Sequence, residues 1–214
     1  MRTVITGANR GIGQALAERY ASDGADVIAT SRDGQLGLPL DVADPTSQAA
    51  MAAQLSGVPV DLLICNAGVY LDKGQSLDGG YAAPMWAESF AVNVTGVFLT
   101  VQALLPNLRA AQGAKIAIIS SQMASHERAP GGSVIYRASK AAALNLGRNL
   151  AAELKSEGIA VGIYHPGWVQ TDMGGSAADI TVAQAADGLV KRFGALSLDS
   201  TGCFETWDGR THPY

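Results

Sequence analysis

Tyr136 and Lys140 stand four residues apart in the stretch Tyr136-Arg137-Ala138-Ser139-Lys140, and residues at that spacing share one face of a helix. An ammonium is thereby brought within reach of a phenol. A nearby cation favours phenolate over phenol and draws a tyrosine pKa down from about 10 toward neutrality. Tyr136 is therefore a candidate general acid or base. Asn93 lies inside the apolar helical stretch Phe90-Ala91-Val92-Asn93-Val94. A buried amide there is costly unless bonded, so Asn93 is either a structural hydrogen bonder or part of a polar site.

The elements that would carry these groups alternate in type. Thr3–Thr6 is a short β-branched run ending in Gly7-Ala8-Asn9-Arg10-Gly11-Ile12-Gly13; Ile12, Leu16, Ala17 and Tyr20 then recur at helical spacing as far as Gly24, and Asp26–Thr30 reads as a second strand. Glycines between strand and helix let the backbone approach a pyrophosphate, and the helix N-terminus supplies N–H donors and a favourable dipole. The second strand of such a unit ends beside the adenosine ribose, at Ser31-Arg32-Asp33. Arg32 there and Arg10 in the turn favour NADP(H) over NAD(H), since a guanidinium fork suits a 2′-phosphate. Asp33 takes the acidic, NAD-type role if the register slips.

Leu38–Val42 reads as a third strand, reached by about seven residues where a parallel crossover usually needs a dozen or more. A bare loop is expected in place of a helix. Pro45–Leu55 reads as a helix capped near Asp44, Val60–Cys65 as a buried strand ending in Asn66-Ala67-Gly68, and Pro84–Ala111 as a long helix. Lys115–Ile119 forms a fifth strand running into Ser120-Ser121, Ser133–Glu157 a long helix carrying Tyr136 and Lys140, and Ala160–Tyr164 a sixth strand. Asp179–Phe193, stopped by Gly194, and Cys203–Thr206 complete the alternation. Repeated β-then-α units predict a doubly wound parallel sheet of about seven strands with helices on both faces, a Rossmann fold occupying residues 1–214 as one domain.

The totals agree with a folded protein: 48% hydrophobic and 16% charged residues argue against disorder. A formal net charge of -4 and a pI near 5.3 leave no basic footprint for nucleic acid or an anionic membrane. The N-terminal residues enter a strand-like run with no signal-peptide pattern, and no uninterrupted apolar run of membrane-spanning length is expected. Cys65 and Cys203 lack ligand-spaced neighbours, so reduced thiols, no metal and a cytoplasmic setting are expected.

Taken in order, Thr6-Gly7-Ala8-Asn9-Arg10-Gly11-Ile12-Gly13, Asn66-Ala67-Gly68, Tyr136-x-x-x-Lys140 and Pro166-Gly167-Trp168-Val169-Gln170-Thr171-Asp172-Met173 resemble the motifs of the short-chain dehydrogenase/reductase family over essentially the whole chain. The resemblance implies a tetrad of Asn93, Ser121, Tyr136 and Lys140. Tyr136 would exchange a proton with the carbonyl or alcohol oxygen. Lys140 would lower the phenol pKa and hold the nicotinamide ribose, Ser121 would bond the carbonyl oxygen, and Asn93 would support a water-linked proton path. It implies cofactor contacts from Gly7, Asn9, Arg10, Gly11, Ile12, Gly13, Ser31, Arg32, Asp41, Val42, Asn66, Ala67 and Gly68, from Tyr136 and Lys140, and from Pro166, Gly167, Val169 and Thr171. A homodimer or homotetramer paired through the two long helices is also implied. Within the family, the turn and the ending Asp208-Gly209-Arg210-x-x-Pro213 look most like the small bacterial signalling-factor and carbonyl-reductase branch.

The chain departs from that pattern in places. The gap from Ser121 to Tyr136 is long, so Ser120 and Ser125 compete with Ser121 as the hydrogen bonder. Only Gly174–Asp179 separates the Pro-Gly motif from the next helix, which predicts an open, shallow substrate site without a lid. Met123, His126, Tyr70 and Trp168 would border it. A small carbonyl or alcohol is the expected substrate. The competing reading is a nucleotide-binding regulatory or signalling protein with little turnover; an extended-branch epimerase would need a larger C-terminal lobe.

Overall fold

Strands form where β-branched and aliphatic residues run together. The computed structural model describes residues 1–214. Its strands are β1 Arg2–Ile5, β2 Asp26–Ser31, β3 Leu38–Pro39, β4 Leu62–Cys65, β5 Lys115–Ile119, β6 Ala160–His165 and β7 Phe204–Thr206. All pair in parallel in one sheet of order β3-β2-β1-β4-β5-β6-β7. The order reverses between β1 and β4, which opens a crevice beyond their carboxyl ends.

The main helices are α1 Gly11–Ser22, α2 Pro45–Gln54, α3 Ala83–Phe90, α4 Gly96–Ala110, α5 Val134–Leu154 and α6 Val182–Ala195. Alternating residues of each strand point to opposite faces. Val4, Leu63, Ile116, Ile118 and Val161 face Met51 of α2, Leu104 and Leu108 of α4, and Ala151 and Leu154 of α5. Ile5, Ile64, Ala117 and Tyr164 face Leu16 and Tyr20 of α1 and Leu189 and Phe193 of α6. The result is a helix–sheet–helix sandwich. Gly147 lets α5 settle on β6, since a Cβ there would lie 2.6 Å from Ile163 Cγ1.

Several expected boundaries move. The third strand ends at Pro39 because Asp41 turns the chain, its Oδ1 accepting from Ala43 N at 2.9 Å. The link before it is the bare loop anticipated. The last helix starts at Val182 rather than Asp179, after a capping box in which Thr181 Oγ1 accepts from Gln184 N and Gln184 Oε1 accepts from Thr181 N. It also runs past Gly194 to Ala195.

The long helix expected at Pro84–Ala111 contains a widened π-helical turn at Ala91–Thr95, between α3 and α4. Although Asn93, Thr95, Thr100 and Gln102 interrupt it, the 28-residue stretch Ala83–Ala110 includes an 18-residue window of mean hydropathy 1.5, enough by length and composition to cross a membrane. Here Val97, Val101, Leu104 and Leu108 pack it onto the sheet.

Candidate active site

The crevice starts at the glycine turn. Thr6 Oγ1 accepts from the N–H groups of Asn66 and Ala67, both at 3.0 Å, while Asn66 Nδ2 donates to the carbonyls of Thr6 and Gly7 at 2.9 and 3.0 Å. These bonds weld the ends of β1 and β4 together. Gly7 has φ 65°, and a Cβ on Gly13 would sit 2.3 Å from Gly7 O. Both positions need glycine. Arg10, at the N-cap of α1, is extended and makes no side-chain cap bond, so no side chain of the turn takes the first N–H groups of the helix. That is the donor set a pyrophosphate requires, and the residues present fit a dinucleotide. Asn9 is exposed, and Gly11 and Ile12 are half-buried beside it.

On the adenosine side, Ser31 Oγ donates to Asp33 Oδ1 at 2.7 Å and Gln35 N donates to the same oxygen at 3.2 Å. The Ser31 hydrogen bond, aided by Gln35, holds the Asp33 carboxyl below its ordinary range. Asp33 is thus tied into its own loop, whereas Arg32 is exposed and outside every ion pair of the chain. Arg10 pairs with Asp172 at 3.2 Å across the cleft. Asp41 N donates to Ser47 Oγ at 2.9 Å, and Val42 is buried against Gly96.

The chemistry-bearing groups converge past the ends of β4 and β5. Asn93, in the π-helical turn, accepts from Val69 N and donates to Val69 O, both at 2.9 Å, and donates to Ser139 Oγ at 3.0 Å. Its amide is fully occupied joining the loop after β4 to α5. Gly68 lies between Asn93 and Lys140: a Cβ there would be 3.2 Å from Asn93 Oδ1 and 3.4 Å from Lys140 Nζ. Lys140 is buried, donates to Ile119 O at 3.0 Å, and its Nζ stands 5.7 Å from the Tyr136 ring centre.

Of the three serines, Ser120 donates to Lys140 O and Ser125 to Tyr214 O, each at 3.2 Å. Ser121 is the one whose side-chain hydrogen bonding pulls the Tyr136 pKa down. Its Oγ also accepts from Met123 N at 3.1 Å, starting a 3-10 turn at Gln122–Ala124.

The expected electrostatics are reversed in this structure. Burial pushes the Tyr136 phenol up, with Tyr70 and Asp72 adding to the rise, and Ser121 only partly offsets it. Burial pushes Lys140 down, to about 8. Desolvation dominates both groups, and the Lys140 ammonium is turned to Ile119 O.

The rim is built by the Pro-Gly segment. Gly167 has φ 93°, and a Cβ there would strike Ile180 Cδ1 at 2.5 Å. Val169 is buried and bridges to Ile180, while Thr171 Oγ1 accepts from Gly174 N at 3.0 Å and its methyl lies 3.4 Å from a Cβ built on Gly11. Pro166 follows His165, whose burial holds its imidazole down at about 4. No helix covers 170–181. Lys73 Nζ reaches across to Met173 O at 3.2 Å instead, and Trp168 is 46% exposed, leaving the site open.

Tyr70 stacks on Tyr136 with ring centres 4.2 Å apart. Met123 and His126 lie on the segment that follows Ser121. Three partners escaped the sequence reading: Thr6 as the weld between strands, Ser139 as the anchor of Asn93, and Asp72. Thr6 had a local signal, a hydroxyl at the end of a strand; Asp72 and Ser139 act on residues remote in sequence, which no spacing rule reveals.

A three-layer α/β fold with a glycine cradle at its switch point and a buried tyrosine–lysine pair defines a dinucleotide-dependent oxidoreductase class. The chain matches the family described as short chain dehydrogenase over residues 2–180. It belongs to that family of oxidoreductases. It is 35% identical over 227 residues to 1-hydroxy-2-glutathionyl-2-methyl-3-butene dehydrogenase of Rhodococcus sp. (strain AD45), covering 98% of both chains. It is 34% identical over 166 residues to C-signal of Myxococcus xanthus, covering 77% of this chain and 99% of that one. The fold superposes on NADPH-bound carbonyl reductase from chicken fatty liver with a TM-score of 0.91 and 31% identity, covering 100% and 98% of the two chains.

Proposed function

We propose that this protein is an NADP(H)-dependent oxidoreductase that interconverts a small carbonyl and an alcohol, with Tyr136 as the acid–base group. The observation that carries this reading is the meeting of Tyr136, Ser121 and Lys140 beside Gly68, at the mouth of a glycine cradle. Gly7, Gly11 and Gly13 with the α1 N-terminus would hold the pyrophosphate, Arg32 and Arg10 the 2′-phosphate, and Lys140 and Thr171 the nicotinamide end. Bound there, NADP(H) would supply or accept the hydride. The NADPH bound to the similar chicken carbonyl reductase supports the choice of cofactor.

Ser121 Oγ hydrogen-bonds the substrate oxygen and orients it toward the Tyr136 hydroxyl. Because burial keeps the phenol protonated, Tyr136 is set to give its proton to the oxygen of a carbonyl under reduction. When the Lys140 ammonium turns from Ile119 O toward the ribose side, its charge stabilises the phenolate left behind. Asn93 holds the loop that carries Gly68 against α5, so the proton donor and the cofactor floor keep one geometry. The short segment Gly174–Asp179 leaves room for varied small substrates.

Fluorescence titration with NADPH and NADH tests the cradle. Tight NADPH binding with weaker NADH binding is expected; binding of neither removes the assignment. A second reading, a nucleotide-binding signalling protein, is favoured by the similarity to C-signal. It predicts NADPH binding with no turnover across a panel of carbonyls and alcohols.

A further inference from the structure

The helix that presents Tyr136 begins without a cap of its own. Ser133, at the N-cap of α5, is left-handed with φ 48° and makes no side-chain cap bond. Its hydroxyl is instead paired with that of Tyr70. A helix start needs acceptors for its first N–H groups, and a buried start without them is costly. The acceptor comes from sixty-odd residues away: Asp72, with 0% exposure, takes Ile135 N on Oδ2 at 2.8 Å and Tyr136 N on Oδ1 and Oδ2 at 3.2 and 3.3 Å.

We infer that Asp72 is a positioning residue for Tyr136, its buried carboxyl group fixing the first turn of α5 from the loop after β4. Asp72, Tyr70 and Val69 lie on one short loop. Val69 is held by Asn93, Tyr70 stacks on the Tyr136 ring, and Asp72 grips the Tyr136 backbone. This loop immediately follows Gly68, so the floor of the cofactor crevice and the proton donor are built from one rigid piece. The inference rests on the reading of Tyr136 as the acid–base group.

The charge has a direction. The groups facing the phenol are Lys140 on α5, the Ser121 hydroxyl after β5, and Tyr70 and Asp72 on the loop after β4. Asp72 and Tyr70 act to keep it protonated and Ser121 acts against them. Removing the charge while keeping an acceptor lets Tyr136 ionise at lower pH.

The test is an ultraviolet titration of tyrosine ionisation in the wild type, Asp72→Asn and Asp72→Ser, each with and without Tyr136→Phe so that the Tyr136 contribution is read by difference. It needs no substrate. Asparagine and serine both retain an oxygen that can cap the helix, so either folded variant serves. The expected result is a Tyr136 transition at lower pH in the neutral variants. In NADPH-dependent carbonyl reduction, the fall in rate at high pH then moves the same way. Superimposable Tyr136 transitions would reduce Asp72 to a plain helix cap and overturn the inference. Carbonyl turnover retained by Tyr136→Phe alone would instead remove the acid–base reading, a separate outcome.

Discussion

Each end of the sheet holds a lysine partly stripped of water, and the two do different things. Lys115 opens β5 at the amino end, where it borders a cavity of about 620 Å3 lined also by Met1, Tyr20, Asp61 and Phe193. Its Nζ donates to Phe193 O and Gly194 O, at 3.3 and 2.7 Å, closing the C-terminal end of α6. Burial lowers its pKa. Lys140 lies past the carboxyl end of the same strand, where burial takes it to about 8. The difference lies in the company each keeps. Lys115 satisfies carbonyls at a helix end, where the dipole welcomes a cation, and although Tyr20 borders the same cavity, its phenol makes no hydrogen bond to Lys115. Lys140 stands beside Tyr136, Ser121 and Gly68, where the proposed cofactor would lie. Desolvation marks a lysine as unusual; only the convergence of partners marks it as chemical.

The contrast can be broken most severely at the cradle. Gly13→Ala places a Cβ 2.3 Å from Gly7 O and 2.4 Å from Asn66 Nδ2, both held by the weld between β1 and β4. NADPH affinity is expected to fall by roughly 100-fold or more, about 3 kcal/mol, read by fluorescence titration.

Lys140→Met sharpens the comparison through two readouts of opposite sign. Turnover is expected to fall by about 100-fold. Stability is expected to rise, because the folded-state pKa of about 8 lies below the ordinary 10.5. Between those values the unfolded chain holds a proton that the folded chain has released, so wild-type stability climbs with pH across the window and is lowest below it. Removing the charge should stabilise the cofactor-free protein by about 2 kcal/mol at pH 7 after the lost bond to Ile119 O is subtracted, and thermal unfolding from pH 7 to pH 10 should lose its upward slope.

Arg32→Asp is expected to weaken NADPH binding by about 30-fold while changing NADH binding little, the size of a lost charge-assisted hydrogen bond to phosphate. Lys115→Met, at the other end of the sheet, should leave turnover within about twofold and cost about 0.5 kcal/mol through the lost helix-end contact. A large loss of turnover in that variant would erase the distinction between the two ends.

Local signals carried much of this to the sequence. The alternation of strands and helices, the glycine turn and the Tyr136–Lys140 spacing are written within windows of a few residues. The bare loop before β3 followed from counting residues. What escaped was long-range or a competition between local forces. The Thr181–Gln184 capping box outcompeted Asp179 as a helix start. The π-helical turn carries Asn93, whose amide reaches Val69 and Ser139, both remote in sequence. Spacing placed Lys140 near Tyr136 but could not show that the surrounding core would desolvate both and raise the phenol instead of lowering it. Asp72 was illegible for the same reason: a carboxylate in a glycine-rich loop reads as a turn residue until the fold delivers it to the start of α5.

The central claim is that Tyr136 protonates a carbonyl oxygen beside bound NADPH. The most direct measurement follows NADPH consumption over a panel of small aldehydes and ketones by the wild type and Tyr136→Phe, with NADPH affinity measured for both. The account predicts equal binding, turnover in the wild type and a loss of about 100-fold or more in the variant. Equal turnover by the two proteins, or NADPH binding without turnover by either, would contradict it.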